Sequence, residues 1–323
     1  MKKIILLAFL FCTCYSKAQF SPAVGSIGTS SIYKDSSAFI SWASNCVVTR
    51  GYQDIAIPSG GYATVGVDSN GTKKASVNPV VSLGDGGIAI LTFTSPITNG
   101  SGFDFAVFEN SFNDVFLELA FVEVSSDGIN YFRFPPTSNT QTLSQIGPFD
   151  NTGDATKLNN LAGKYRANYG TPFDLQVLQS IAGLNINNIT HVKIIDVVGN
   201  INVPYATYDK NNNPINDPYP TAFGSGGFDL DAVGVIHQLA VGLNELELLS
   251  TSLIIYPIPA KDIIHILTDN VQIKGLVLTD VNGKIIKETV ENKINLTSLE
   301  NGLYLLKIIN TDGLSITKKI IKN

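Results

Sequence analysis

Two short runs in this 323-residue chain echo each other: Gly102-Phe103-Asp104-Phe105 and Gly227-Phe228-Asp229-Leu230. Each sets an acidic side chain among strand-forming apolar residues. Along the second run, alternation sends Phe228, Leu230 and Ala232 to a core and Asp229 and Asp231 to the opposite face, about 7 Å apart at ~3.3 Å rise per residue. Two carboxylates so placed repel unless water or a cation lies between them. In a sandwich, strands remote in sequence become neighbours, so Asp104, Glu109 and Asn110 can bring further oxygens. Hard oxygen ligands in number suit Ca²⁺ rather than Zn²⁺. The sequence therefore predicts a calcium site from Asp104, Glu109, Asn110, Asp229 and Asp231. The plainer use of such aspartates is turn capping and backbone hydrogen bonding. A further run, Asp209-Lys210-Asn211-Asn212-Asn213, imitates the start of a calcium loop. Pro214 stands where its glycine belongs and Pro220 where its last glutamate belongs, so it reads as a hairpin turn.

Paired carboxylates also serve glycoside hydrolysis, and Glu109, Glu118 and Glu123 are available for it. Composition reads Glu118 and Glu123 as a solvated strand face. Other catalytic signatures are missing. The three histidines, His191, His237 and His265, stand apart. No nucleophile elbow, His-Glu-x-x-His or phosphate loop occurs. Whether the chain catalyses anything is left open, with the balance toward no. Tyr131, Tyr205, Tyr208 and Tyr219 fall in or beside loops rich in Asn and Asp. Such loops offer ring faces for stacking and amides for hydroxyls, so the four tyrosines are candidate ligand-binding residues. Their plainer use is to pin loops onto the body.

These residues need a scaffold, and composition bounds it. Hydrophobic residues make up 44%, enough for a core, and charged residues only 15%. The formal net charge of -5 argues against nucleic acid, which needs a basic field. Past Gly51 the pattern is strand-like over 87–93, 103–108, 117–125, 191–198 and 228–236, with Gly, Asn and Pro clusters between. The expected body, residues 20–240, is a mainly β, jelly-roll-like sandwich with one or two short helices. The first helix is expected over 35–49, with Phe39, Trp42, Ala43 and Cys46 at helical spacing, and a second over 174–181.

The two ends carry addresses. Lys2 and Lys3, an apolar run over 4–11 and Lys17-Ala18-Gln19 match an export signal peptide over residues 1–19. That run is too short to span a bilayer, and no membrane-spanning segment is expected in the mature chain. Cys12 and Cys14 leave with it, so Cys46 can form no internal disulfide. After a linker over 241–251, short β-branched runs separated by turn residues predict a small sandwich over 252–323. Its motifs are Ile255-Tyr256-Pro257-Ile258-Pro259-Ala260-Lys261-Asp262, Asn282-Gly283-Lys284, Ile294-Asn295-Leu296, Leu299-Glu300-Asn301-Gly302-Leu303-Tyr304 and Lys318-Lys319-Ile320-Ile321-Lys322. In that order they resemble the type A C-terminal sorting domain of the bacterial type IX secretion system. The resemblance implies that the type IX secretion machinery carries the chain across the outer membrane, to the cell surface or the medium.

The body also resembles a family of bacterial cell-surface proteins. The resemblance rests on residues 102–110 and 118–128, Leu161-Ala162-Gly163, residues 169–175, Asp217-Pro218-Tyr219-Pro220-Thr221 and residues 226–233. It implies location and fold. Related surface proteins assist uptake of glycans or corrinoids, so the body is expected to be a binding module for a ligand of that class. The alternatives are a carboxylate-dependent glycan hydrolase and a structural adhesin.

Overall fold

The computed structural model describes residues 20–239, 253–268, 272–311 and 315–323. The expected signal peptide and linker lie outside the described residues. The chain divides into two compact units, one ending at Leu239 and one beginning at Ala240.

The strands of the first unit are β1 (Ile32–Tyr33), β2 (Ser41–Trp42), β3 (Asn45–Thr49), β4 (Val81–Ser82), β5 (Ile88–Ile97), β6 (Phe105–Glu109), β7 (Ala120–Ser125), β8 (Phe132–Arg133), β9 (Thr137–Ser138), β10 (Leu158–Asn159), β11 (Tyr169–Phe173), β12 (Ile189–Asp196) and β13 (Asp229–Val235). One sheet runs β1-β11-β6-β13-β2, with β4 also on β13, and the other runs β3-β5-β12-β7-β8. Neighbours come from distant parts of the chain and pair antiparallel, as a jelly-roll-like sandwich requires. Alternation fills the space between the sheets. Phe105 and Val107 of β6, Val122 and Val124 of β7, Val192 and Ile194 of β12, and Val233 and Val235 of β13 share one core.

Residues 35–49 are not a helix. They form β2 and β3, which belong to different sheets. The helical spacing was a coincidence of two layers: Ala43 and Cys46 enter the main core, while Phe39 and Trp42 pack outside with Phe108, Ala106 and Ala232. The β-branched run Val47-Val48-Thr49 is better suited to a strand than to a helix. The second expected helix is a short 3-10 turn, Leu175–Leu178, capped by Asp174, whose Oδ1 accepts the Gln176 N–H at 2.9 Å.

A bulge changes the facing of β13. Leu230 is opposite Glu109 and Ala232 is opposite Phe108, so Asp231 is the extra residue. Phe228 and Leu230 point into the core, but beyond the bulge Val233 and Val235 do so. Ala232, expected beside Leu230, instead joins the outer cluster of Phe39 and Trp42.

The second unit holds β14 (Leu253–Tyr256), β15 (Ile263–Thr268), β16 (Ile273–Thr279), β17 (Ile285–Thr289), β18 (Lys293–Asn295), β19 (Gly302–Asn310) and β20 (Ser315–Lys322). They form a three-stranded sheet β14-β15-β18 and a four-stranded sheet β17-β16-β19-β20. The core between them is its own, built around Ile264, Ile266, Leu276, Leu278, Leu306 and Ile308.

Candidate functional site

The alternation that buries Phe105 and Val107 buries Glu109 as well, at the end of β6. Glu109 is 1% exposed. Its Oε2 accepts the Ser111 N–H at 2.8 Å, while Oε1 has no hydrogen-bond partner. Burial, and then the charge of Asp229, push its carboxyl well above the usual range. Asp229 opens β13 beside β4, where it accepts the Ser82 hydroxyl and an amide of Asn110. Burial raises it to about 6 against these bonds and the nearby positive charge of Arg50. Glu118, in the loop before β7, is held well above its usual value by burial and by Glu109, Asp229, Asp217 and Asp196.

The acids continue inward. Asp217 accepts the Leu119 N–H at 2.8 Å on Oδ2 and leaves Oδ1 without a partner. Asp196, at the end of β12, accepts the Gly86 N–H at 2.9 Å and is raised to about 8, chiefly by burial. Asp85 accepts the Ile55 N–H at 2.8 Å and is raised to about 7 by burial. One end of the sandwich therefore collects carboxyl groups that burial and mutual repulsion hold against ionisation.

Above this floor lies a cavity of about 360 Å³, lined by Glu118, Asp229, Asn110 and four phenylalanines. Phe112 and Phe116 have ring centres 5.9 Å apart, and Phe149 and Phe223 have theirs 5.4 Å apart. Phe112 is 84% exposed and Phe149 71% exposed. Polar loop chemistry holds these rings up. Asn113 Oδ1 accepts the N–H groups of Val115 and Phe116 at 2.9 and 2.8 Å. Asp114 pairs with Arg166. Asp150 accepts the Gly147 N–H at 2.7 Å beside Phe149. Thr221 accepts the Gly227 N–H at 3.2 Å on its hydroxyl, closing the loop that carries Phe223.

The structure divides the five residues expected to bind calcium. It brings Glu109, Asn110 and Asp229 together. Asp104 lies at the other end of β6, where it accepts the Gly100 and Leu175 N–H groups at 2.7 Å and pairs with His237 Nδ1 at 2.8 Å. Asp231, the bulge residue, has both oxygens on the Ser76 N–H, at 2.9 and 3.0 Å. Among the described residues, no group of three His, Cys, Asp or Glu side chains is arranged to hold a metal ion.

The four tyrosines are also dispersed. Tyr219 is buried and donates its hydroxyl to Asp54 at 2.9 Å. The ring of Tyr131 sits 3.5 Å from Lys193 Nζ. Tyr208 pairs with Pro214 across the hairpin of residues 209–213, in which Asp209 Oδ1 accepts the Asn211 and Asn213 N–H groups. Tyr205 follows a turn in which its N–H reaches the Asn202 carbonyl at 3.2 Å. None of the four lines the cavity. Glu123 faces outward between Arg133 and Lys193, at 2.8 and 3.1 Å. Glu118, expected on that same solvated face, lines the cavity instead. Sequence reasoning missed the phenylalanines. Their signal was an aromatic isolated among turn residues, as in Ser111-Phe112-Asn113, Pro148-Phe149-Asp150 and Ala222-Phe223-Gly224.

No curated protein matches the chain. Among solved structures, the β-glucuronidase of Ruminococcus gnavus bound to C6-substituted uronic isofagomine is 11% identical, with a TM-score of 0.21 over 86% of this chain and 46% of that one. Its apo form is also 11% identical, with a TM-score of 0.20 over the same shares. The chain spans less than half the length of these enzymes, and a likeness so shallow carries no argument about activity. No helix among the described residues is long and apolar enough to cross a membrane. Residues 254–323 match the family model of the secretion system C-terminal sorting domain. With its separate core and the motif order read above, this unit marks the chain as cargo of the type IX secretion machinery, exported to the cell surface or released.

Proposed function

We propose that the body is a ligand-binding module and that the phenylalanine-rimmed cavity is its site. The observation that carries this is the rim itself. Large rings held in water by dedicated polar loops gain nothing from folding and gain contact area only when a ligand covers them. Concave, largely apolar walls with a few convergent polar groups are the usual form of a small-molecule site. Of the ligand classes expected from sequence, a sugar unit fits a space of about 360 Å³, and a whole corrinoid ring does not. Asn110, Asn113 and Asn151 lie on the wall, and each amide NH2 that bonds within the protein keeps a second N–H for a hydroxyl.

A second reading has one observation in its favour. Glu118 lines the cavity, and burial, Glu109 and Asp229 hold its carboxyl well above the usual range, which is the character of a general acid, as a glycan hydrolase would need. Titrating the purified mature protein with a panel of oligosaccharides, with product analysis, separates the two. Saturable binding with intact sugar supports the module, turnover abolished by Glu118→Gln supports the hydrolase, and neither result supports an adhesin.

A further inference from the structure

The ionisable groups that line the cavity are all acids. Glu118 and Asp229 line it, and no lysine, arginine or histidine does. Behind them lies Glu109, 1% exposed, with Oε1 unpartnered. The cation whose charge reaches Asp229 is Arg50, and its guanidinium is already engaged by the carbonyls of Val65, Ser82 and Gly66. The rim adds four aromatic rings, whose faces are electronegative. Acid floor and aromatic wall favour the same kind of guest. A neutral sugar would use the rings and leave the acids protonated, whereas a cation would let them ionise against it, and an anion would oppose that ionisation and meet the electronegative ring faces.

We propose that the group seated in this cavity is an organic ammonium ion, in glycan form the ammonium of an amino sugar, with the phenylalanine faces around it and the floor carboxylates as its counter-charge. The inference rests on the cavity being the binding site, and it names the chemistry that site selects. Cation–ring contact of this type strengthens binding by roughly threefold to thirtyfold. The floor responds as well. Glu118 is faced by Glu109, Asp229, Asp217 and Asp196; Glu109 by Asp229 and Asp217; Asp229 by Ser82, Asn110 and Arg50. A cation among them favours their ionised forms, so binding expels protons near neutral pH.

Isothermal titration of the full mature chain tests this with four probes: a glucosamine tetramer, its N-acetylated counterpart, a glucose tetramer and choline. The glucosamine tetramer should bind at least tenfold more tightly than either neutral tetramer, with proton release seen as a dependence of the heat on buffer. Raising the salt should weaken it. Phe149→Ala, at a side chain too exposed to disturb folding, and Glu118→Gln should each weaken it about fivefold or more. Equal binding of the neutral tetramers would overturn the ammonium and leave the cavity as a sugar site. Binding of choline without any tetramer would support the ammonium and overturn the sugar. Binding that needs added calcium, or that both variants leave unchanged, would overturn the inference, and no binding of any probe would overturn the site with it.

Discussion

The Phe228 N–H reaches Oδ1 of Asp196 at 2.7 Å, tying the first residue before β13 to the last residue of β12. A carboxyl raised to about 8 thus joins the two sheets at the end where the cavity opens.

Stability should fall as pH rises from 5 to 8. Asp229, Asp85 and Asp196 have folded values of about 6, 7 and 8, above the ~3.9 of an unfolded chain. In this window the folded state holds more protons than the unfolded one. The stability these groups lend is complete below about pH 4 and is lost as pH passes through the folded values. Asp127 and Asp209, which are lowered, act in the opposite sense but only in acid. Lys164, lowered to about 8, acts at higher pH. Thermal unfolding between pH 5 and 8 should show the melting temperature descending. Asp85→Asn keeps an acceptor for Ile55 and a partner for Thr221, and should reduce the slope.

Trp42 should be a local reporter. Its ring lies 5.0 Å from Phe39 and 5.4 Å from Phe108, in the cluster outside the main core. Half-buried rather than enclosed, it should cost about 2 kcal/mol on Trp42→Ala, below the usual cost for a fully buried tryptophan. It is the sole tryptophan, so a red shift of emission on unfolding checks its partial burial. An unshifted spectrum would place it in solvent.

Gly227 should resist any side chain. Its φ is +72°, and a Cβ there would lie 2.8 Å from Asp196 Oδ1 and 2.8 Å from the Gly84 carbonyl carbon. Gly227→Ala should cost about 2 kcal/mol or more. Gly60→Ala meets nothing within 4 Å and has no such backbone restriction, so it should be near neutral in the same urea titration.

Deleting residues 252–323 should leave the body folded and stop its export across the outer membrane. Each unit has its own core, and the sorting match lies wholly in the second. Circular dichroism of the truncated protein and cell fractionation check the two halves of this statement. Truncated protein at the cell surface would contradict it.

Strands were legible where one rule acted alone. The runs over 87–93, 103–108, 117–125, 191–198 and 228–236 became β5, β6, β7, β12 and β13, because alternation and β-branched content agreed there. In the tail, the β-branched runs between turn residues became the strands β14 to β20 of the expected sandwich. The failures came where two layers met in one stretch. Phe39 and Cys46 serve different cores, and their spacing imitated a helix. The site was half legible. Glu109, Asn110 and Asp229 were expected together and are neighbours, since β6 and β13 pair antiparallel. Asp104 was not, since antiparallel pairing sends the first residues of one strand to the last of its neighbour. The phenylalanine rim was hidden because an exposed ring has no periodicity to betray it.

The bulge at Asp231 lets β13 carry one residue more than β6 without turning the strand beyond it away from the core. Asp231→Asn would keep an acceptor for the Ser76 N–H. Removing the residue would leave Leu230 opposite Glu109, Ala232 opposite Phe108 and Val233 opposite Val107 in an unbroken ladder, so Val233 and Val235 would still face the core and Ala232 the cluster of Phe39 and Trp42. A deletion at the bulge would therefore keep the two apolar layers in place, whereas losing a residue from the regular pairing beyond it, such as Val233, would exchange them over the rest of the strand.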